Sequence, residues 1–435
     1  MQRRPHSRPP SIISDNTTAL MTQTAIDGGS GRENRWYPVV LVTLAIAISY
    51  FDRQTLPVAI AAIQRNISIS DQQFSYLQTA FLLSYAAMYI GGGRLLDALG
   101  TRRGFMLIML WWSIACALHG FASGFGLLLC ARFLLGMGEG GGFPAAIRVV
   151  AEWISPEHRS TAVGFINAGT AFGSLLAPPL IGLVLLHSGW RTVFYVAGAI
   201  GMAWVLWWVL AYRASSNDSR RSVRPIPIGK LLSIRVVQVL VFAKFMSDSA
   251  WYFLLFWLPK YLYDARHFDI KQVSYSAWIP YAASGIGSFV GGYFSSILLR
   301  RGLSIDQARK TALGLSAAFM PAVMLVPLVP VRYALALFSV AFFCQQSWSG
   351  LVMTVPTDIL PLSAVGTVSG FVGFGGAIGG ALFGVVAGYL LQHGFGYQTL
   401  FILVGSFHLV GFLAIILVGG RIQPLSSGDL RETEA

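Results

Sequence analysis

From Trp36 onward the chain repeats apolar runs of about 20 residues, the length a helix needs to cross a hydrocarbon core of about 30 Å. A bilayer interior offers the backbone no water, so such runs must close their hydrogen bonds internally as α-helices. Twelve runs can be drawn, at approximately 36–60, 74–95, 104–121, 126–150, 160–187 and 190–212, then 236–262, 274–299, 309–328, 331–354, 365–392 and 397–420. The longest polar interruption, 213–235, carries Arg213, Arg220, Arg221, Arg224, Lys230 and Arg235 and divides the runs six and six. The expected fold class is an all-α polytopic membrane protein with twelve transmembrane helices in two six-helix bundles. Its expected parts are a disordered cytoplasmic tail (1–35), a first bundle (36–213), a basic central cytoplasmic loop (214–235), a second bundle (236–421) and a cytoplasmic tail (422–435).

Composition agrees: 55% of the 435 residues are hydrophobic, only 11% are charged, and mean hydropathy is +0.62, values far outside those of a soluble globule. The net charge of +13 would suit nucleic acid on a soluble face, but here the excess Lys and Arg sit between apolar runs, where they report topology. Arg102, Arg103, His158, Arg159, Arg300 and Arg301 follow even-numbered runs, and Arg94, Arg309 and Lys310 stand at the run ends that border the same loops, so those loops and both termini are expected in the cytoplasm. Cys116, Cys130 and Cys344 lie inside apolar runs with no metal-ligand spacing, and neither cofactor nor metal is expected.

Against this background a few ionisable residues stand out, because charges inside a bilayer are costly unless they face a cavity or each other. They are Asp52 and Arg53 in SYFDRQTLP, Arg132 and Glu139 in RFLLGMGEGGGFPA, and Lys244 and Asp248 in KFMSDSAW. At 1.5 Å per residue Asp52 lies roughly 24 Å up the first helix, and Arg132 roughly 9 Å below the outer surface on the fourth, a shared depth. Seven residues separate Arg132 from Glu139, two helical turns, so both project from one face. Lys244 and Asp248 stand at i and i+4, where a structural ion pair is the economical reading. A structural account of all these charges, mutual neutralisation that fixes packing, stays open beside the functional one.

GGGRLLDALGTRR follows the second run and GGYFSSILLRRGLSIDQARK the eighth, so a Gly-rich helix end leading to paired Arg recurs in both halves. Duplicated halves place a site near the midplane between them. The first of these segments resembles the loop signature of the major facilitator superfamily, with Gly93, Asp97, Gly100, Arg102 and Arg103 at its conformational positions. SYFDRQTLPVAI, RFLLGMGEGGGFPAAIRVVAEW, FINAGTAFGSLLAPPL, KFMSDSAWYFLLFWLPKYL, QARKTALGL and QQSWSGLVMTVPTDILP resemble the anion:cation symporter family within it, especially bacterial hexuronate (glucuronate and galacturonate) and related sugar-acid transporters. One departure is the stretch SGFVGFGGAIGG, which lacks the Asn that some aldonate carriers use there and weighs against a galactonate reading.

The resemblance implies an inner-membrane, multi-pass, proton-coupled symporter for a small organic anion, with lipid and protons as its other partners, no nucleic acid, and a monomeric state. It implies that Arg53 binds the substrate carboxylate, while Asp52 and Glu139 take up and release protons and Arg132 holds Asp52 charged. Sugar hydroxyls and ring faces need polar and aromatic partners, for which Tyr50 and Tyr85, then Asn167, Gln345, Gln346 and Trp348, are candidates. A sodium-coupled carrier, a carrier of another anion (phosphate, an aldarate, an aromatic acid) and a non-transporting sensor remain alternatives. An enzyme is not expected, since no nucleophile–base pair, metal cluster or phosphate-cradling loop appears in the sequence.

Overall fold

The computed structural model describes residues 36–154, 158–212, 228–360 and 362–424, and every described element is helical. The tail expected over 1–35, most of the central loop, the last residues of the chain and the side chain of Asp97 lie outside the described residues. Ten helical stretches among those described are long and apolar enough to cross a membrane.

In the first half, α1 (Tyr37–Gln64) leads into α2 (Asp71–Leu118), whose 48 residues are interrupted at Gly100, with φ 74° and ψ 162°. Glycine enters that region without the Cβ penalty other residues meet. Gly104 packs against Leu96, which a straight helix would hold about 12 Å away, so the two arms of α2 fold back on each other around one residue. The next helix is also broken: α3 (Phe125–Glu139) and α4 (Gly142–Trp153) are separated by Gly140 and Gly141. The half closes with α5 (Arg159–Ser188) and α6 (Trp190–Ala211).

A short helix, α7 (Ile228–Ser233), lies within the stretch expected to be loop and precedes α8 (Arg235–Asp264). Then come α9 (Ile270–Ser276), α10 (Trp278–Arg300), α11 (Ile305–Phe319) with a 3₁₀ continuation over Met320–Leu328, α12 (Val331–Ile359), α13 (Leu362–Gln392) and α14 (Gly396–Leu417). The starts of α2, α9 and α11 are fixed by capping boxes, Ser70 with Gln73, Asp269 with Gln272 and Ser304 with Gln307, each satisfying two otherwise orphan backbone donors.

Lipid tails are as apolar as leucine, so helices associate in a bilayer through close packing rather than hydrophobic burial. At Gly173 on α5 the α1 backbone is so near that a Cβ would stand 2.0 Å from the Ala47 carbonyl oxygen. Backbone cannot step aside as a side chain can, so Gly173→Val should force α1 and α5 apart and cost at least the 1–3 kcal/mol, roughly, of core overpacking. Thermal unfolding in detergent should show a midpoint several degrees lower; an unchanged midpoint would mean that this contact does not hold the bundle.

The repeat survives in side-chain chemistry. Glu152, next to last in α4, takes hydrogen bonds from Thr101, Arg148 (3.1 Å) and the Tyr212 hydroxyl (3.1 Å). Asp358, next to last in α12, pairs with Arg309 at 2.8 Å. Each half is therefore tied at the same end, here termed proximal, by a carboxylate on its fourth long element.

The two halves meet toward the opposite, distal end, where α1 stops and α2 begins. Lys260 on α8 is paired with Asp71 on α2 at 2.8 Å and also contacts Asp264. Tyr263 donates to the Val58 carbonyl (2.8 Å), Tyr281 to the Gln54 side chain (3.0 Å) and Thr79 to the Ala381 carbonyl (3.1 Å). Among the described residues, no hydrogen bond or ion pair crosses between the halves at the proximal end.

Candidate functional site

Between the halves lies a central cavity of about 150 Å³, well below the roughly 300–1,000 Å³ of sites for drug-sized ligands. Its first wall carries Tyr50, Tyr85, Tyr89, Phe143, Asn167 and Thr170; its second carries Lys244, Asp248, Trp251, Tyr252, Gln346 and Ser349. Hydroxyls, amides and aromatic faces thus converge on a small space with one ion pair in its lining. Larger hollows of about 510, 370 and 410 Å³ are bordered almost wholly by apolar side chains, as suits lipid tails; the one of about 370 Å³, between α1, α5 and α6, has Asp52 in its lining, so Asp52 faces away from the central cavity.

Beneath the first wall sits a second polar layer. The Arg53 guanidinium is clamped between the rings of Tyr50 (4.3 Å to the centroid) and Tyr85 (4.6 Å). Its Nε donates to Glu139 Oε2 at 2.7 Å, and the Ser49 hydroxyl donates to the same oxygen at 2.6 Å. Glu139 ends α3 where the helix breaks, which is how its carboxylate reaches across to α1. Arg53 and Glu139 are each 1% exposed, and neither lines the cavity.

Arg132 lies deeper, against the Phe81 ring at 5.1 Å, and donates to Gln78 Oε1 at 2.6 Å. The expected partnership of Arg132 with Asp52 is therefore not formed in this conformation. Neither oxygen of Asp52 meets a nitrogen or oxygen donor among the described residues, its polar neighbour being the Cys116 thiol, and Arg132 Nε and Nη1, Arg53 Nη1 and Glu139 Oε1 are also unsatisfied. Buried polar atoms are nearly always satisfied, so this concentration sets the interior of the first half apart from the rest of the described core. Two carboxylates and two guanidinium groups balance there, and adding or removing one proton leaves an uncompensated charge.

The other residues singled out by sequence divide clearly. Tyr50, Tyr85, Asn167 and Gln346 line the cavity, whereas Gln345 turns to Asp248 (Nε2 to Oδ1, 3.4 Å). Trp348 does not reach the cavity; it is fully buried against His408, with ring centroids 5.3 Å apart. Lys244 and Asp248 form the anticipated ion pair at 2.9 Å, but they also face the cavity, and Lys244 donates to Ser349 at 2.6 Å. Of the loop signature, Gly100 is the turn itself, Gly93 is half-buried, Arg102 donates to the Val209 carbonyl at 2.9 Å and Arg103 is exposed. Sequence reasoning missed Tyr89, Trp251 and Tyr252; the signal was helical spacing, since Tyr89 follows Tyr85 by four residues and Tyr252 follows Asp248 by four.

A family model described as the Major Facilitator Superfamily matches residues 42–384. The chain is 28% identical to the hexuronate transporter of Escherichia coli (strain K12) over 402 residues, which is 88% of this chain and 93% of that one. It is 29% identical to a probable sulfoacetate transporter of Cupriavidus necator, covering 91% of this chain and 95% of that one. A D-galactonate transporter of Escherichia coli O6:H1 is 27% identical over 416 residues, 89% of this chain and 96% of its own length. Among solved structures, a bacterial homolog of the human lysosomal transporter Spinster, inward-facing and unoccupied, superposes with a TM-score of 0.70 at 18% identity, covering 90% of this chain and 96% of that one, a likeness of fold. With two helical halves tied alike and a polar cavity between them, the chain belongs to the Major Facilitator Superfamily and is a multi-pass membrane transporter, not an enzyme.

Proposed function

We propose that this protein is a proton-coupled symporter of the inner membrane that imports a small organic anion, a hexuronate or a related sugar acid, by alternating access. The observation that carries the reading is the cavity itself: small, rich in hydroxyls and aromatic faces, and backed by a buried Arg53–Glu139 pair. The names of the relatives, carriers of hexuronate, sulfoacetate and galactonate, support the anion.

In this reading the first arm of α2 and the broken α3–α4 helix are the two further spans that bring the ten to twelve. The basic proximal end, with Arg102, Arg103, Arg300 and Arg301, lies in the cytoplasm together with both termini. The conformation described above is then closed to the outside. Arg53, behind the tyrosine wall, helps attract the anion into the cavity, and Glu139 and Asp52 carry the protons.

Energetics favour this coupling. A monoanion entering against an inside-negative potential costs roughly 2.3 kcal/mol per 100 mV; one proton cancels that cost and a second gives net inward drive. The test is uptake of labelled glucuronate into proteoliposomes under an inward proton gradient without sodium, with galacturonate, galactonate, sulfoacetate and phosphate as competitors. Accumulation that a protonophore collapses and sugar acids compete is expected. Uptake that begins only when sodium is added would move the coupling to a cation held by Asp52, and competition by phosphate alone would move the substrate.

A further inference from the structure

Among the buried cations of the described residues, Arg53, Arg132 and Lys244 lie nearest the central cavity, and these three do not present themselves equally. Arg132 is enclosed with Gln78, and Arg53 is shielded by two tyrosine rings and held by Glu139. Lys244 alone of the three lines the central cavity. Resting on the reading of the cavity as a sugar-acid site, we propose that Lys244 and Ser349 form the subsite that contacts the substrate carboxylate, on the wall opposite Arg53.

The donor arithmetic permits it. An ammonium group has three N–H donors; one goes to Asp248 Oδ1 at 2.9 Å and one to Ser349 Oγ at 2.6 Å, which leaves a third for a ligand. Ser349 in turn keeps its own hydroxyl proton, so a carboxylate can bridge the two groups with one oxygen on each. Tyr252 lies one turn beyond Asp248, and Gln346 three residues before Ser349, so the same wall presents groups for the substrate hydroxyls.

Asp248 explains why the subsite is neutral when empty. Gln345 braces its Oδ1, and its Oδ2 rests over Gly376 on α13, where a Cβ would come within 2.2 Å. The carboxylate is thus seated in a slot that α13 reserves for it, and it holds Lys244 in place without filling its coordination. Packing has no need of this arrangement, since a buried ion pair is weak support for stability compared with a well-packed apolar pair.

The experiment is equilibrium binding of labelled glucuronate to the purified full-length protein in detergent, with glucose as the uncharged competitor. Lys244→Gln combined with Asp248→Asn removes the pair without stranding a charge. The double variant is expected to bind glucuronate at least tenfold more weakly and to lose its preference for glucuronate over glucose, while Lys244→Arg stays close to the parent. A double variant that binds and discriminates like the parent overturns the proposal and leaves the transport reading standing. If the double variant does not fold, Ser349→Ala decides: it keeps the ion pair and should weaken glucuronate by about 10- to 150-fold with glucose unchanged, the worth of one hydrogen bond to a charged group, and no effect overturns the subsite. A parent protein that binds none of glucuronate, galacturonate, galactonate or sulfoacetate overturns both readings together.

Discussion

Glu139→Gln is expected to bind and exchange substrate but to lose accumulation against a gradient. The amide oxygen of glutamine can still accept from Arg53 and Ser49, so the bonds at 2.7 and 2.6 Å that organise the floor of the site survive in outline. What disappears is a carboxylate that can be protonated. Each coupled proton contributes roughly 2.3 kcal/mol from 100 mV and about 1.4 kcal/mol from one pH unit, together about a 500-fold change in limiting accumulation. Counterflow in proteoliposomes measures exchange, and uptake under an imposed proton gradient measures accumulation. A variant that accumulates like the parent would remove Glu139 from the coupling machinery.

The second large effect is expected at the distal end. Lys260 is 2% exposed and stands between Asp71 of one half and Asp264 of the other, with Tyr397 donating to Asp264 at 3.1 Å. Lys260→Met leaves two carboxylates facing each other without the cation that joins the halves. Removing one partner of a fully buried pair costs about 3–5 kcal/mol; both carboxylates here are about a third exposed (31% and 36%), so a smaller bias, on the order of 1–3 kcal/mol, is expected. That bias moves the population about 5- to 150-fold toward the distally open state. Thr79→Cys, in a background lacking Cys116, Cys130 and Cys344, should then react much faster with a membrane-impermeant thiol reagent added from outside. Equal rates with and without Lys260 would show that other contacts close this end.

Much of this architecture is legible in the sequence because bilayer physics is restrictive. Apolar length gives helices, and charge between the runs gives the grouping into halves. Depth along a helix can be calculated as well, and it sets Asp52 and Arg132 at a shared level. Azimuth cannot. Successive residues on a helix point about 100° apart, so of Asp52 and Arg53 only one can face Glu139, and packing of α1 against its neighbours decides which. Arg53 faces it, and Arg132 turns to Gln78 instead of Asp52.

The same geometry separates Gln346 from Trp348. Two residues are about 200° apart, so one reaches the cavity and the other the interior of the second half, a distinction available from helical spacing alone. Lys244 and Asp248 illustrate the opposite limit. Their spacing correctly suggests a local pair, but nothing in the sequence says which side of α8 opens onto the cavity.

The clamp around Arg53 has a bearing on speed. A bare guanidinium in the cavity would form a bidentate contact with a carboxylate, strong enough to make departure slow. Here the guanidinium is held by Glu139 and covered by the faces of Tyr50 and Tyr85, so it has no directional bond on offer to the cavity. On the proposed reading, the charged contact to the anion is left to the Lys244 ammonium alone, so residence time would stay short and turnover need not be limited by release.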